Sequence, residues 1–172
     1  FFSEFDFGLT NFYWKQYLCD RDLVFAIGMF EHINNLQSAF RHIAALLTAA
    51  GRCFLHLIVS RPLFPQHMDS SKTLIGKYFP GGRIWPFSEL QQQTDFFDPV
   101  DSWYVNGLNY WRTLDEWHRR FWDNMDSLYE QVLSIEDIRH WNDYFVLCKT
   151  VLFAPLEGNV YGNGHYLFRN KH

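Results

Sequence analysis

Cysteine is scarce in this chain: three in 172 residues, Cys19, Cys53 and Cys148, odd in number and widely spaced. That argues against a disulfide framework and a metal site, and fits a reducing compartment. Basic residues form no run. Fifteen Lys and Arg are scattered against 19 Asp and Glu, for a net charge of −4. A nucleic-acid surface needs clustered positive charge, so no nucleic acid is expected as a partner. No apolar run reaches the roughly 18–20 residues of a membrane span. The opening, FFSEFDFG, has no initiator Met and no signal-peptide pattern, so the chain reads as a fragment. Internal repeats and low-complexity tracts are absent too.

Aromatics are abundant. Eighteen Phe, 9 Tyr and 7 Trp make up 20% of the residues. Most belong in the core, because these rings carry the largest burial term; a minority could line an apolar channel for a long or flat substrate. With 48% apolar and 20% charged residues the chain is globular, and its length fits one domain.

The most informative stretch is 23–32, LVFAIGMFEH, an apolar run that ends in an adjacent carboxylate and imidazole, Glu31 and His32. Its composition predicts a strand buried on both faces of a parallel sheet. Ligands of open α/β sheets sit outside the carboxyl ends of the strands. The alternative is that Glu31 and His32 form an exposed turn before the next helix.

Residues 34–50 carry apolar positions at Leu36, Phe40, Ile43, Ala44 and Leu47, a helical period, with Gly51 as the C′ residue. A second buried strand spans 52–60, RCFLHLIVS, with His56 inside it. Residues 61–85 read as a loop-rich insertion with the turn signal Pro80-Gly81-Gly82. Ser88-x-x-Gln91 and Thr113-x-x-Glu116 read as capping boxes that open helices. The second helix has the stripe Leu114, Trp117, Phe121, Met125, Leu128 and Val132. Strands are expected at 96–105 and 160–169, with a helix between them from Ser134 that Pro155 terminates. A strand–helix–strand core followed by helices is an α/β enzyme pattern.

Glu31, His32, His56, Tyr110 and Cys148 are the polar or reactive groups that stand out against apolar surroundings. Each also has a purely structural reading: a satisfied core histidine for His56, a core aromatic for Tyr110, a small buried hydrophobe for Cys148. Taken together, GMFEH, FLHLI, KYFPGG, NYWRTLDEW and W-x-x-Y-x-x-x-C, in that order, resemble the cyclopropane fatty-acid synthase family. That family includes the mycolic acid cyclopropane synthases and has the coclaurine N-methyltransferases as close cousins. The resemblance covers roughly residues 14–169.

It implies an α/β fold, the C-terminal part of a Rossmann-like class I methyltransferase sheet with a helical substrate cap. It implies S-adenosylmethionine as cofactor and a lipid alkene or small amine as acceptor. It also implies a cytoplasmic location with peripheral membrane contact. In the cyclopropane branch, Glu31, His56 and Tyr110 match side chains that hold a bicarbonate ion, and Ile58 matches a backbone contact to it. Cys148 falls on the family's active-site cysteine. In the N-methyltransferase branch, Glu31 and His32 match a catalytic dyad. Trp14, Lys15, Ala26 and Ile27 match cofactor contacts, although Lys15 replaces the acidic residue usual in the cyclopropane branch.

The chemistry makes sense of these residue types. A sulfonium methyl is electrophilic, so the enzyme must position a nucleophile in line and manage one proton. Yet the glycine-rich turn that cradles such a cofactor belongs after the first strand of this fold, and no G-x-G precedes Leu23. The chain therefore reads as the C-terminal part of a longer enzyme. The alternative is a half-domain without cofactor binding that serves as an interaction or lipid-binding module. Isothermal calorimetry on the 172 residues alone is expected to detect no cofactor binding; clear micromolar binding would overturn the fragment reading.

Overall fold

The computed structural model describes residues 19–62, 66–67, 82–129 and 131–171. Its centre is a strand–helix–strand unit: β1 (Arg21–Ile27), α1 (Leu36–Leu46) and β2 (Leu47–Ser60). β1 runs parallel to β2, from Leu23 opposite Arg52 to Ile27 opposite His56. Helix α1 starts where Asn35 accepts from the Ser38 N–H at 2.9 Å, an N-cap that satisfies one orphan donor of the first turn. Its buried stripe, Leu36, Ala39, Phe40, Ile43 and Ala44, follows the helical period.

The helix stops at Leu46, four residues short of the expected end, and Gly51 is not its C′ residue. The cap comes from the far end of the chain. The Asn170 amide donates to the carbonyls of Ala44, Leu47 and Thr48 at 3.1–3.3 Å. Gly51 lies instead in the irregular start of β2, where an added Cβ would meet Leu47 Cβ and the Thr48 carbonyl at 2.9 Å.

β2 pairs on both edges. β6 (Tyr161–Asn170) runs antiparallel to it from Arg52 opposite Arg169 to Ser60 opposite Tyr161, and β5 (Phe97–Asn106) pairs antiparallel beyond β6. The end of the insertion joins the sheet on the β1 edge. β4 (Arg83–Pro86) runs parallel to the last residues of β2 and pairs with β3 (Gln66–His67). Strands β5 and β6 fall within one residue of the stretches expected from sequence.

One face of this sheet is packed by α1 and by α2 (Phe87–Gln91). At its centre Phe40 meets Phe30, Phe97 and Phe168 edge-on, with centroids 5.3–5.6 Å apart. Such pairs contribute about 0.5–1.5 kcal/mol each beyond burial. The expectation that β1 is buried on both faces does not hold. Ala26 and Val24 turn to the core, but Phe25 is 62% and Ile27 67% exposed. A continuous apolar run fits burial on both faces only when both faces have something to pack on, and among the described residues no helix covers the second.

Between β5 and β6 the chain builds a helical cap: α3 (Gly107–Asp123), α4 (Met125–Leu128), α5 (Ile135–Leu147) and a π-helical turn (Cys148–Phe153). Two caps differ from the sequence reading. α3 begins at Gly107, not Thr113, because Asn106 accepts from the Leu108 N–H at 2.8 Å. Thr113 lies inside the helix and donates to the Asn109 carbonyl, while Glu116 pairs with Arg119 and Arg120. α2 begins after Pro86 without a side-chain cap from Ser88. The box at Ser134 and Asp137 that opens α5 is formed in both directions. The long stripe is interrupted at Asn124, which leaves Val132 68% exposed.

The cap is locked to the sheet at Gly107. A Cβ there would lie 2.1 Å from the Tyr161 carbonyl oxygen and 3.2 Å from those of Gly158 and Phe153. None of these backbone atoms can move alone. Gly107→Ala is expected to cost about 2 kcal/mol or more, read as a shift in the chemical denaturation midpoint.

Candidate functional site

β1 ends at Ile27, and Gly28 turns the chain with φ +61°, a conformation that glycine adopts without the steric cost other residues meet. The Gly28 N–H donates to the His56 carbonyl at 2.8 Å. The next residues form a short 3-10 turn, Phe30–His32. It is pinned by the Phe30 ring in the core and by the Trp85 indole, which donates to the Phe30 carbonyl at 3.1 Å. This turn places Glu31 over the carboxyl end of β2, where Oε1 accepts from the Ile58 N–H at 2.8 Å. Oε2 is buried and has no hydrogen-bond partner among the described residues.

The cap approaches from the other side. Leu114, Phe145, Cys148 and Phe153 form its core, with Ile58, Tyr110 and Tyr144 packed against it. Tyr110 stands edge-on to Phe153 at 4.6 Å. Between sheet and cap lies a cavity of about 180 Å³. Gly28, Glu31 and His32 line it from the end of β1, Ile58 from β2, and Gly82 and Ile84 from around the start of β4. Tyr110 lines it from α3, Tyr144 from α5, and Cys148, Leu152 and Phe153 from the π-helical turn. The walls are mostly apolar, with a few convergent polar groups, as in small-molecule sites.

Five residues expected at the site therefore meet: Glu31, His32, Ile58, Tyr110 and Cys148. His56 does not line the cavity. Its Nδ1 lies 2.7 Å from Nε2 of His165, across the strand pair. Among the described residues it also lacks the backbone-carbonyl partner of a typical core histidine. The Ala26 side chain is buried in the sheet core, so only its backbone could meet a ligand, whereas the Ile27 side chain is exposed beside Gly28. Trp14 and Lys15 lie outside the described residues. So does most of KYFPGG, of which Gly82 alone is described. Tyr144 and His165 were missed from sequence. Tyr144 had a signal in its i,i+4 spacing to Cys148, which puts both on one helix face; His165 had none.

Burial sets the chemistry. It pushes the Glu31 carboxyl above its usual value of 4.5, against the Ile58 N–H and His32, which favour the charged form. It also raises the Cys148 thiol to about 11, despite the hydrogen bond with Tyr144. A thiol there stays protonated and is a poor nucleophile. Tyr110 is raised as well, first by burial and then by Cys148 and Glu31. The cavity thus holds neutral donors around one carboxyl group whose second oxygen is open.

An open mixed α/β sheet, capped by helices beyond the carboxyl ends of its parallel strands, is the class I methyltransferase fold. A crystal structure of coclaurine N-methyltransferase bound to N-methylheliamine and SAH superposes with a TM-score of 0.75, at 25% identity over 87% of this chain and 48% of that one. A cyclopropane synthase from Mycobacterium tuberculosis superposes with a TM-score of 0.73, at 20% identity over 91% of this chain and 58% of that one. The sequence model of the mycolic acid cyclopropane synthetases matches residues 9–159, and the chain belongs to that family. It is 27% identical to a probable (S)-tetrahydroprotoberberine N-methyltransferase of Papaver bracteatum over 91% of its length and 48% of the relative's. It is 26% identical to the (S)-coclaurine N-methyltransferase of Papaver somniferum over 87% and 46%. The chain spans about half the length of these relatives.

The histidine pair makes stability depend on pH. Burial, and then His165, hold His56 below its usual 6.5. Between that lowered value and 6.5 the unfolded chain binds more protons than the folded one, so stability is complete above 6.5 and falls as the medium is acidified through this window. His56→Gln is expected to flatten this part of the curve, measured as denaturation midpoints at a series of pH values. An unchanged slope would remove His56 as its source.

Proposed function

We propose that this chain is the acceptor-side half of an S-adenosylmethionine-dependent methyltransferase, with Glu31 as the proton acceptor. The observation that carries this reading is the open Oε2 of Glu31, buried among apolar and neutral side chains at the end of β1. The named activities of the Papaver relatives and the SAH in the coclaurine N-methyltransferase structure support the cofactor.

The end of β1 fits such a cofactor. Ile27 presents an exposed apolar side chain, and an added Cβ at Gly28 would meet nothing within 4 Å. When bound there, S-adenosylmethionine supplies an electrophilic methyl group on a sulfonium. Tyr110, Tyr144, Phe153, Leu152 and Ile58 hold the acceptor and exclude water, which fixes it for in-line attack. Glu31 takes the acceptor's proton on Oε2, which frees the lone pair for attack, while the Ile58 N–H holds Oε1 in place and stabilises the carboxylate. His32, at the mouth of the site, can pass that proton to solvent.

Bicarbonate does not fit this arrangement. Of the four groups matched to it, the Ile58 N–H already donates to Glu31 and the His56 ring is turned to His165. Ionised Glu31 would also repel an anion. A small amine is the better acceptor than a lipid alkene, because a carboxylate attracts the protonated amine and then serves as its base. Glu31→Gln in the full-length protein is expected to lower turnover by about a hundredfold or more. Near-normal turnover in a methyl-transfer assay would remove Glu31 from the mechanism.

A further inference from the structure

His56 on β2 and His165 on β6 face each other in the antiparallel register. His56 Nδ1 lies 2.7 Å from His165 Nε2, and the ring centroids are 4.8 Å apart. At that distance the two nitrogens share one hydrogen, so one ring donates and the other accepts. His165 is itself held in place. Its ring packs on Phe54 at 5.5 Å, and Trp103 opposes it on β5.

Among the described residues the neighbourhood offers the pair no counter-charge at contact. Phe25 and Ile27 of β1, Phe54 and Ile58 of β2 and Asn163 of β6 surround it on this face of the pleat. The charged groups lie further off. Arg52 and Arg169 sit opposite each other toward the far end of β2 and β6. Asp101 of β5 accepts from the Ser102 N–H. Glu31 is bound at Ile58, on the cavity side. A second proton on the pair would therefore put two like charges in contact. The shared hydrogen also turns the His56 ring along the sheet toward β6, whereas the cavity lies toward β1 and the cap.

We infer that His165 is a positioning residue: by taking Nδ1 of His56 across the strand pair, it withdraws His56 from the site and leaves the proton-acceptor role to Glu31. The consequence for catalysis rests on the methyltransferase reading; the pairing itself does not.

The test is nitrogen-15 NMR of the histidine rings in the whole chain, titrated with pH and with sodium bicarbonate, for the unsubstituted protein, His165→Leu and His165→Gln. The unsubstituted chain is expected to show His56 as a single tautomer that titrates below 6.5 and does not respond to bicarbonate. A nitrogen–nitrogen coupling should appear across the shared hydrogen. In His165→Leu the tautomers of His56 should interconvert and its titration should move up, while burial still holds it below 6.5. His165→Gln, whose amide can still donate or accept, should keep the single tautomer. Absence of the coupling at every pH would overturn the inference, and that measurement needs no variant to fold. So would a shift of His56 with bicarbonate, or the same His56 behaviour in His165→Leu. None of these readouts depends on turnover, so a full-length protein whose histidines behave in this way but which transfers no methyl group refutes the methyltransferase reading and not the pairing.

Discussion

Strand β2 is the constraint on which the rest of the molecule depends. It carries β1 and β4 on one edge and β6 on the other, so each neighbour takes its register from the same backbone. The site inherits that rigidity. Gly28 is hydrogen-bonded to His56, Glu31 to Ile58, and the cap packs on the Ile58 side chain. Three consecutive outward-facing residues of one strand, Phe54, His56 and Ile58, thus set both the histidine pair and the floor of the cavity. A shift of one residue in the pairing of β2 would turn this set into the core and expose Leu55 and Leu57, which are fully buried.

The electrostatics of the cavity follow from how little polarity it contains. On a buried carboxyl with one backbone N–H partner two effects oppose each other: desolvation, the larger, raises it, and hydrogen bonding favours its charged form. The same dryness keeps Cys148 protonated and Tyr110 neutral. One environment therefore sets the contrast: a buried carboxyl with one open oxygen, beside a thiol and a phenol that hold their protons. The π-helical turn contributes by placing Cys148, Leu152 and Phe153 together on the cavity wall, a use of irregular helical geometry common near functional sites.

The order and type of the elements were legible in the sequence because they depend on local patterns. The period of 34–50, the helix start at Ser134 and the strands at 52–60, 96–105 and 160–169 all rest on residues close in the chain. The failures were at helix ends, where another residue, near or far in the chain, took over the cap. Asn170 replaced Gly51 as the end of α1, Asn106 opened α3 well before Thr113, and Pro86 preceded the box at Ser88. The two-sided burial of β1 failed for a related reason, since hydrophobicity states what a strand can bury but not what is there to cover it.

Within the candidate site the same division holds. By itself the sequence determined the chemistry on offer, a carboxylate and imidazole after an apolar strand and a tyrosine and cysteine on the helices that follow, because these are properties of residue type and short spacing. Only the tertiary structure decided which groups meet. The bonds from Ile58 to Glu31, between His165 and His56, and from Asn170 to Ala44 join residues 27, 109 and 126 positions apart. Local periodicity carries no information over such separations; strand register and the packing of the cap do.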